Sequence, residues 1–185
     1  MDRLNPDASL LLVVDVQDRL IGAMAPDAAA RLLENVDILL DAARVLGVKV
    51  IATEQYPKGL GPTVAPIAAR FPALGVTPMA KLDFDAMSDP NVARAVHHSE
   101  ARNIILVGME AHVCVFQTAR ELARRGYATH VVADAVLSRT EDNRQAGLRL
   151  CERAGATVTV AEAVVFDWLR RAGSDAFKQI SKRIR

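Results

Sequence analysis

Cysteine and aromatic residues are both scarce in this chain of 185 residues, which contains only two cysteines, Cys114 and Cys151. Two cysteines cannot form the disulfide framework of a small secreted domain, so the simplest prediction is a reducing, cytoplasmic setting. Phenylalanine, tryptophan and tyrosine together make up 4% of the residues. So few aromatic rings disfavour a groove that binds single-stranded RNA by stacking on its bases.

An excess of charge of one sign is also lacking, since 23 lysines and arginines balance 22 aspartates and glutamates, for a formal net charge of +1. This balance predicts no general affinity for nucleic acid or for anionic lipid. No apolar run approaches the roughly 18–20 residues that cross a membrane, and the apolar stretch near the N-terminus is too short for a signal peptide. We therefore expect neither a membrane nor a nucleic-acid partner.

Apolar segments of strand length alternate with amphipathic helical patterns along the chain. The continuous apolar runs Ser9–Asp15, Val48–Thr53 and Asn103–Met109 are typical of strands that are buried on both faces of a parallel sheet. Apolar residues at spacings of three and four predict a helix from Pro26 to Gly47. Further strands are predicted near Gly75–Lys81 and at Thr129–Asp134 and Thr157–Val160. Further helices are predicted after Asp89-Pro90 and at Cys114–Arg125, Thr140–Ala154, Glu162–Ala172 and Ser174–Arg183. The segment Glu54–Pro66 is predicted to be a loop.

This alternation predicts one α/β domain over residues 1–185, with a doubly wound, mainly parallel sheet. In such sheets ligands bind beyond the carboxyl ends of the strands, at the point where the strand order reverses. The phosphate-binding motifs G-x-G-x-x-G after a strand and G-x-x-x-x-G-K-[ST] are both absent. Reactive side chains that follow strands are therefore the candidates for a functional site.

Three reactive side chains occupy such positions: Asp15 ends the first strand, Lys81 the third, and Cys114 follows the fourth. Each has an ordinary alternative, as a turn cap, a solvated lysine or an inert core thiol. Cys114, however, falls where a strand gives way to a helix, whose free N–H groups would lower the thiol pKa and could hold an oxyanion. A carboxylate nearby could accept the thiol proton. The three side chains together predict a nucleophilic site.

The remaining cysteine and histidines do not form a metal-binding pattern. Cys151 lies on the apolar stripe of a helix and is predicted to be a core residue. His97 and His98 are adjacent on a helix and point about 100° apart, so we expect both at the surface. His130 lies inside a predicted strand, where a structural role is expected.

Three segments resemble motifs of the isochorismatase-like cysteine hydrolases, in the same order along the chain. LLVVDVQ places the acid of the family at Asp15, MAKLDFDAM places the lysine at Lys81, and GMEAHVCVFQTARELARRGY places the nucleophile at Cys114. VVADAVLSRTEDNR is similar to the strand and helix start that follow. The segment TEQYPKGLGPT resembles one branch, the isochorismatase domain-containing proteins.

The resemblance implies a three-layer α/β/α fold with six strands in the order 3-2-1-4-5-6, so that Asp15 and Cys114 flank the reversal between strands one and four. It implies a cis peptide at Glu110–Ala111, which would aim the Ala111 N–H, with that of Cys114, into an oxyanion hole. It also implies dimers or larger homo-oligomers. The apolar residues Phe166, Trp168, Leu169 and Phe177 would pack on the sheet or contribute to such an interface.

Two departures narrow the chemistry that the resemblance implies. The nicotinamidase branch carries a D-x-H-x-x-H metal motif near the second strand, but TEQYPKGLG contains no histidine, so we expect no zinc and no other cofactor. Isochorismatase proper lacks the cysteine, so Cys114 favours attack on an acyl carbon.

The predicted function is hydrolysis of a small carboxamide or carbamoyl substrate through a thioester. The alternatives are an inactive scaffold on the same fold and a hydrolase of an ester or of an RNA phosphodiester. Candidates for the wall of the substrate pocket are Gln17, Gln55, Tyr56, Phe84, His112 and Phe116.

Overall fold

The computed structural model of this chain describes residues 3–184. Its strands are β1 (Ser9–Val14), β2 (Lys49–Gln55), β3 (Met79–Lys81), β4 (Asn103–Met109), β5 (Ala128–Leu137) and β6 (Thr157–Thr159). Its longer helices are α1 (Pro26–Leu46), α2 (Pro90–His98), α3 (Phe116–Arg124), α4 (Glu141–Arg153), α5 (Ala161–Leu169) and α6 (Asp175–Ile180). The six strands form one sheet in the order β3-β2-β1-β4-β5-β6, and all neighbouring pairs are parallel. The predicted fold class and strand order are confirmed.

Helices cover both faces of the sheet, which explains why its central strands are continuously apolar. All residues of β1 and β4 are buried. Because side chains alternate along a strand, Leu11 and Val13 contribute to a core layer shared with α1, α5 and α6. Leu10 and Leu12 contribute to the opposite layer, with α2, α3 and α4. The result is the expected three-layer arrangement.

The helix boundaries follow from residues at their ends. Pro26 begins α1, and Gly47 ends it with φ 72°, a left-handed conformation that glycine adopts without a steric cost. Asp89 accepts hydrogen bonds from the first N–H groups of α2, and Thr140 accepts one from the first turn of α4. These helix starts were predictable because capping depends only on neighbouring residues.

Two strands extend beyond their predicted ends, and both extensions depend on pairing with a neighbouring strand. β2 continues to Gln55, into the predicted loop Glu54–Pro66, because Gln55 pairs with Lys81 of β3. The rest of that loop contains the short helical turns Pro57–Leu60 and Ala65–Ala68. β5 continues past the predicted end to Leu137, after a shift of its register against β4.

Gly108 allows β4 to lie unusually close to β1 at the point where the strand order reverses. Its φ is +115°, and a Cβ atom at this position would lie 1.9 Å from the carbonyl oxygen of Val14. Only glycine fits this contact without displacing one of the two strands. The approach brings the ends of β1 and β4 together beside the predicted site.

The C-terminal helices pack mainly against the sheet. Trp168 and Leu169 are buried in the layer that contains α1, and Phe177 packs against it. Phe166 is the exception, because 41% of its surface is exposed.

Across residues 3–184, no helix combines the length and the apolar character needed to cross a membrane.

Candidate active site

The three reactive side chains converge at the carboxyl edge of the sheet. Asp15 directly follows β1, Lys81 is the last residue of β3, and Cys114 lies in a π-helical turn, Ala111–Val115, after β4. Their exposed fractions are 0%, 2% and 5%. Asp15 and Lys81 form an ion pair, with 2.7 Å between Lys81 Nζ and Asp15 Oδ2. The structure therefore brings the sequence-predicted trio together in a buried cluster.

The Asp15 carboxylate is held by partners on two neighbouring strands. Lys81 donates to one oxygen, and the Thr53 hydroxyl donates to the other at 2.7 Å. Asp15 itself has a left-handed backbone, with φ 54°, and its N–H donates to the Thr53 carbonyl. Thr53 was not among the predicted site residues, although its place near the end of β2 is a signal that could have identified it.

The Lys81 ammonium group is surrounded by oxygen atoms, although a lone lysine usually lies in solvent. It donates to Gln55 Oε1 at 2.6 Å and lies 3.2 Å and 3.4 Å from the carbonyl oxygens of Asp83 and Phe84. With Asp15, these groups compensate for the desolvation of a buried cation. The contacts also fix the segment after β3 over the site.

Gln17 and Gln55 use their side-chain amides within the protein. Gln17 Nε2 donates to the carbonyl oxygens of Gln55 and Gly61, at 3.1 Å and 2.6 Å, and its Oε1 accepts from the Gln55 N–H at 2.8 Å. Gln55 Nε2 donates to the Leu82 carbonyl at 2.6 Å. Both glutamines therefore hold the loops around Lys81.

The cis peptide lies at Met109–Glu110, so the prediction of Glu110–Ala111 was wrong by one residue. The peptide that follows Glu110 belongs instead to the start of the turn. Glu110 has an extended backbone, and its carbonyl oxygen accepts hydrogen bonds from the N–H groups of Val113 and Val115. Ala111 is consequently the first residue of the turn that carries Cys114.

Burial and, second, the charge of the Asp15 carboxylate together raise the pKa of the Cys114 thiol to about 12, against smaller lowering effects of Lys81 and of a backbone hydrogen bond with Glu110. The predicted lowering of this pKa was therefore wrong. The helical turn at Cys114 lies within a packed core layer, where desolvation and a neighbouring carboxylate outweigh the free N–H groups. The resting thiol is protonated at neutral pH.

Cys151 is fully buried in the same layer, as predicted, and burial raises its pKa to about 12 as well.

Large apolar side chains surround the Lys81 segment at the surface. Tyr56 and Phe84 are 50% and 53% exposed, and the neighbouring Leu82, which was not predicted, is 74% exposed. The Tyr56 N–H donates to the Lys81 carbonyl at 2.9 Å. We call Tyr56, Leu82 and Phe84 the apolar rim.

The other two pocket candidates belong to the Cys114 side of the site. His112 is half-buried, and its Nδ1 lies 3.0 Å from the Ser138 hydroxyl. Phe116 is also half-buried, with the Arg120 guanidinium 5.1 Å from the centre of its ring.

The structure offers no metal-binding cluster within residues 3–184, since nowhere there do three or more His, Cys, Asp or Glu side chains meet in a suitable group. His97 and His98 are exposed, and His130 is buried in β5, where burial lowers its pKa.

Comparison with known proteins places this chain in a family. The family model of the isochorismatase domain matches residues 9–163. Isochorismatase domain-containing protein 2 of Danio rerio is 34% identical over 180 residues, which cover 97% of this chain and 88% of that protein.

Two solved structures share the fold along nearly the whole chain. The MAR1 ribonuclease from Caenorhabditis elegans is 36% identical, with a TM-score of 0.90 over 99% of this chain and 92% of that one. The YcaC gene product from Escherichia coli, described as an octameric hydrolase of unknown specificity, is 24% identical, with a TM-score of 0.89 over 98% of this chain and 90% of that one. With the sheet order and the domain match, these likenesses show that the chain belongs to the isochorismatase-like hydrolase family, in the branch of the isochorismatase domain-containing proteins.

Proposed function

We propose that residues 1–185 form a cysteine hydrolase domain that cleaves small carboxamide or carbamoyl substrates, with Asp15, Lys81 and Cys114 as its catalytic residues. One observation carries the proposal. A buried carboxylate is ion-paired to a buried lysine, and its charge raises the pKa of the Cys114 thiol, at the reversal point of a parallel sheet. Desolvating three such groups is costly, and a working site explains why the chain retains them.

The first half of the reaction forms a thioester. Cys114 Sγ attacks the substrate carbonyl carbon while the thiol proton passes to Asp15. The N–H groups of Ala111 and Cys114 donate to the oxygen that becomes negative, since N–H groups of a first helical turn lack intrahelical acceptors. Asp15 then returns the proton to the leaving nitrogen, the C–N bond breaks, and the amine departs.

The second half restores the thiol. Asp15 accepts a proton from water as the water oxygen attacks the thioester carbon. The C–S bond breaks, the acid product leaves, and the proton on Asp15 passes to Cys114 Sγ. Lys81 keeps the carboxylate in place throughout. These steps use only groups of the chain.

The raised thiol pKa supports a proton transfer that accompanies the attack. A thiol with a pKa of about 12 is almost entirely protonated at neutral pH, so a thiolate formed in advance would be rare. A base in contact with the thiol removes this obstacle. The charge of Asp15, which raises the pKa of this thiol, supports Asp15 as that base.

Turnover of a carboxamide panel tests the proposal. In the wild-type protein we expect ammonia or amine release and, after acid quenching, an acyl adduct on Cys114 by mass spectrometry. Cys114→Ser is expected to lose at least about 100-fold in turnover, because an alcohol is a much poorer nucleophile here than a thiol. Cys151→Ala is the matched control and should keep wild-type turnover. Full activity of Cys114→Ser would exclude the mechanism.

RNA hydrolysis is the second candidate, favoured by the likeness to the MAR1 ribonuclease. The net charge of +1 and the near-complete burial of the trio make a polynucleotide a poor fit. Cleavage of single-stranded RNA by the wild type, lost in Cys114→Ser, would favour this candidate over the amidase. Turnover of neither substrate class would favour the inactive scaffold, and turnover of ester analogues alone would favour an esterase.

We also propose that the protein is a cytoplasmic homo-oligomer with a small-molecule substrate. The octameric relative and the exposed apolar rim support self-association.

A further inference from the structure

The turn that carries Cys114 contacts residues 138–147, which comprise the link from β5 to α4 and the first half of α4; we call them the bracing segment. Glu110, Ala111 and His112 precede Cys114 by two to four residues, and each contacts this bracing segment. None of these contacts involves Asp15 or Lys81. They form a second set of restraints on the turn that carries the nucleophile.

Gly147, inside α4, makes the tightest of the three contacts. A Cβ atom at Gly147 would lie 2.6 Å from the Ala111 carbonyl carbon, 2.6 Å from the His112 nitrogen and 2.7 Å from the Ala111 oxygen. These are backbone atoms, so no side-chain rotation can relieve the overlap. Glycine in a helix interior is less favourable than alanine by about 1 kcal/mol, and this close approach accounts for it.

Arg139 binds Glu110 twice. Its backbone N–H and its Nε both donate to Glu110 Oε2, at 3.1 Å and 3.2 Å. The Glu110 side chain is 10% exposed, so most of its contact with water has been replaced. This pair joins the end of β5 to the residue at which the turn begins.

Ser138 completes the bracing segment through its contact with His112, in which Oγ and Nδ1 lie 3.0 Å apart. Ser138 is buried, whereas His112 is partly exposed. The hydrogen bond fixes the imidazole beside the Cys114 turn.

We infer that Gly147 is a positioning residue for Cys114: with Ser138 and Arg139, it sets where the turn places the thiol relative to Asp15. The inference rests on the proposed function only in taking Cys114 as the nucleophile. It assigns no substrate contact to Gly147.

Alkylation by iodoacetamide tests the inference in a Cys151→Ala background, where Cys114 is the only thiol. We expect Gly147→Ala to raise the alkylation rate at pH 8 at least about tenfold, because a displaced turn exposes the thiol and separates it from Asp15. Gly22→Ala is the matched control: its backbone is helical and its Cβ would lie 3.3 Å from the Asp18 oxygen, so the rate should stay unchanged.

A merely structural glycine would lower the thermal midpoint without changing alkylation of the folded protein. An unchanged rate in folded Gly147→Ala therefore overturns the inference. If that variant does not fold, Ser138→Ala decides, with a rate increase of at least about threefold as support and an unchanged rate as refutation. Alkylation requires no turnover, so a failure of the amidase assay leaves this result interpretable.

Discussion

At the residue scale, the buried ion pair of Asp15 and Lys81 dominates the energetics of the site. Two buried charges stabilise each other but do not compensate fully for lost hydration. Each therefore depends on its partner, and the loss of one leaves the other uncompensated. We expect the pair to lower the stability of the protein. Single and double substitutions can measure how far each charge depends on the other.

Lys81→Met should lower the free energy of unfolding by about 3–5 kcal/mol, because it leaves the Asp15 carboxylate buried without its cation. Urea denaturation measures this change. Lys178→Met is the control, since Lys178 is exposed and paired only at the surface, and it should cost less than about 1 kcal/mol.

The double variant Lys81→Met with Asp15→Asn should lose less free energy of unfolding than the sum of the losses in the two single variants, because the two charges are removed as a pair. Strict additivity would show that the two groups do not depend on each other.

At the element scale, β4 and the turn after it show what local sequence can specify. The bounds of β4 were predicted correctly from its apolar run. The sequence did not predict that β4 requires a glycine at position 108. The contact that demands Gly108 comes from Val14, which is distant in sequence.

Gly108→Ala should lower the free energy of unfolding by more than about 4 kcal/mol, or prevent folding, because its Cβ would overlap the Val14 carbonyl. Gly126→Ala is the matched control. Its φ is also positive, at +85°, but a Cβ there meets nothing within 4 Å, so only the left-handed strain of about 1–2 kcal/mol applies. Equal losses in the two variants would contradict the role of the close approach.

In the site, too, the sequence predicted the features that depend on neighbouring residues and missed those that depend on distant contacts. The positions of Asp15, Lys81 and Cys114 followed from strand ends, which apolar runs reveal. The strand order came only from the family resemblance, because pairing of parallel strands is not local. The raised pKa of Cys114 could not be predicted for a similar reason, since it depends on burial and on Asp15.

At the scale of the whole molecule, the two buried thiols link stability to alkaline pH. Burial raises the pKa values of Cys114 and Cys151 to about 12, from an ordinary value of 9.0. Below pH 9 both states keep these protons and the stabilisation is complete. Above pH 9 the unfolded chain releases them while the folded protein does not, so the free energy of unfolding falls until the folded thiols also ionise near pH 12.

Each thiol should contribute a slope of about 1.4 kcal/mol per pH unit within that window. Cys151→Ala removes one of the two contributions, so the decline in its free energy of unfolding between pH 9 and pH 10.5 should be shallower than in the wild type by about that slope. The small cavity left by the substitution lowers stability equally at every pH, and the difference between slopes is therefore independent of it. Urea titrations of both proteins across this range make the comparison, and parallel declines would mean that the Cys151 thiol ionises as readily in the folded core as in the unfolded chain.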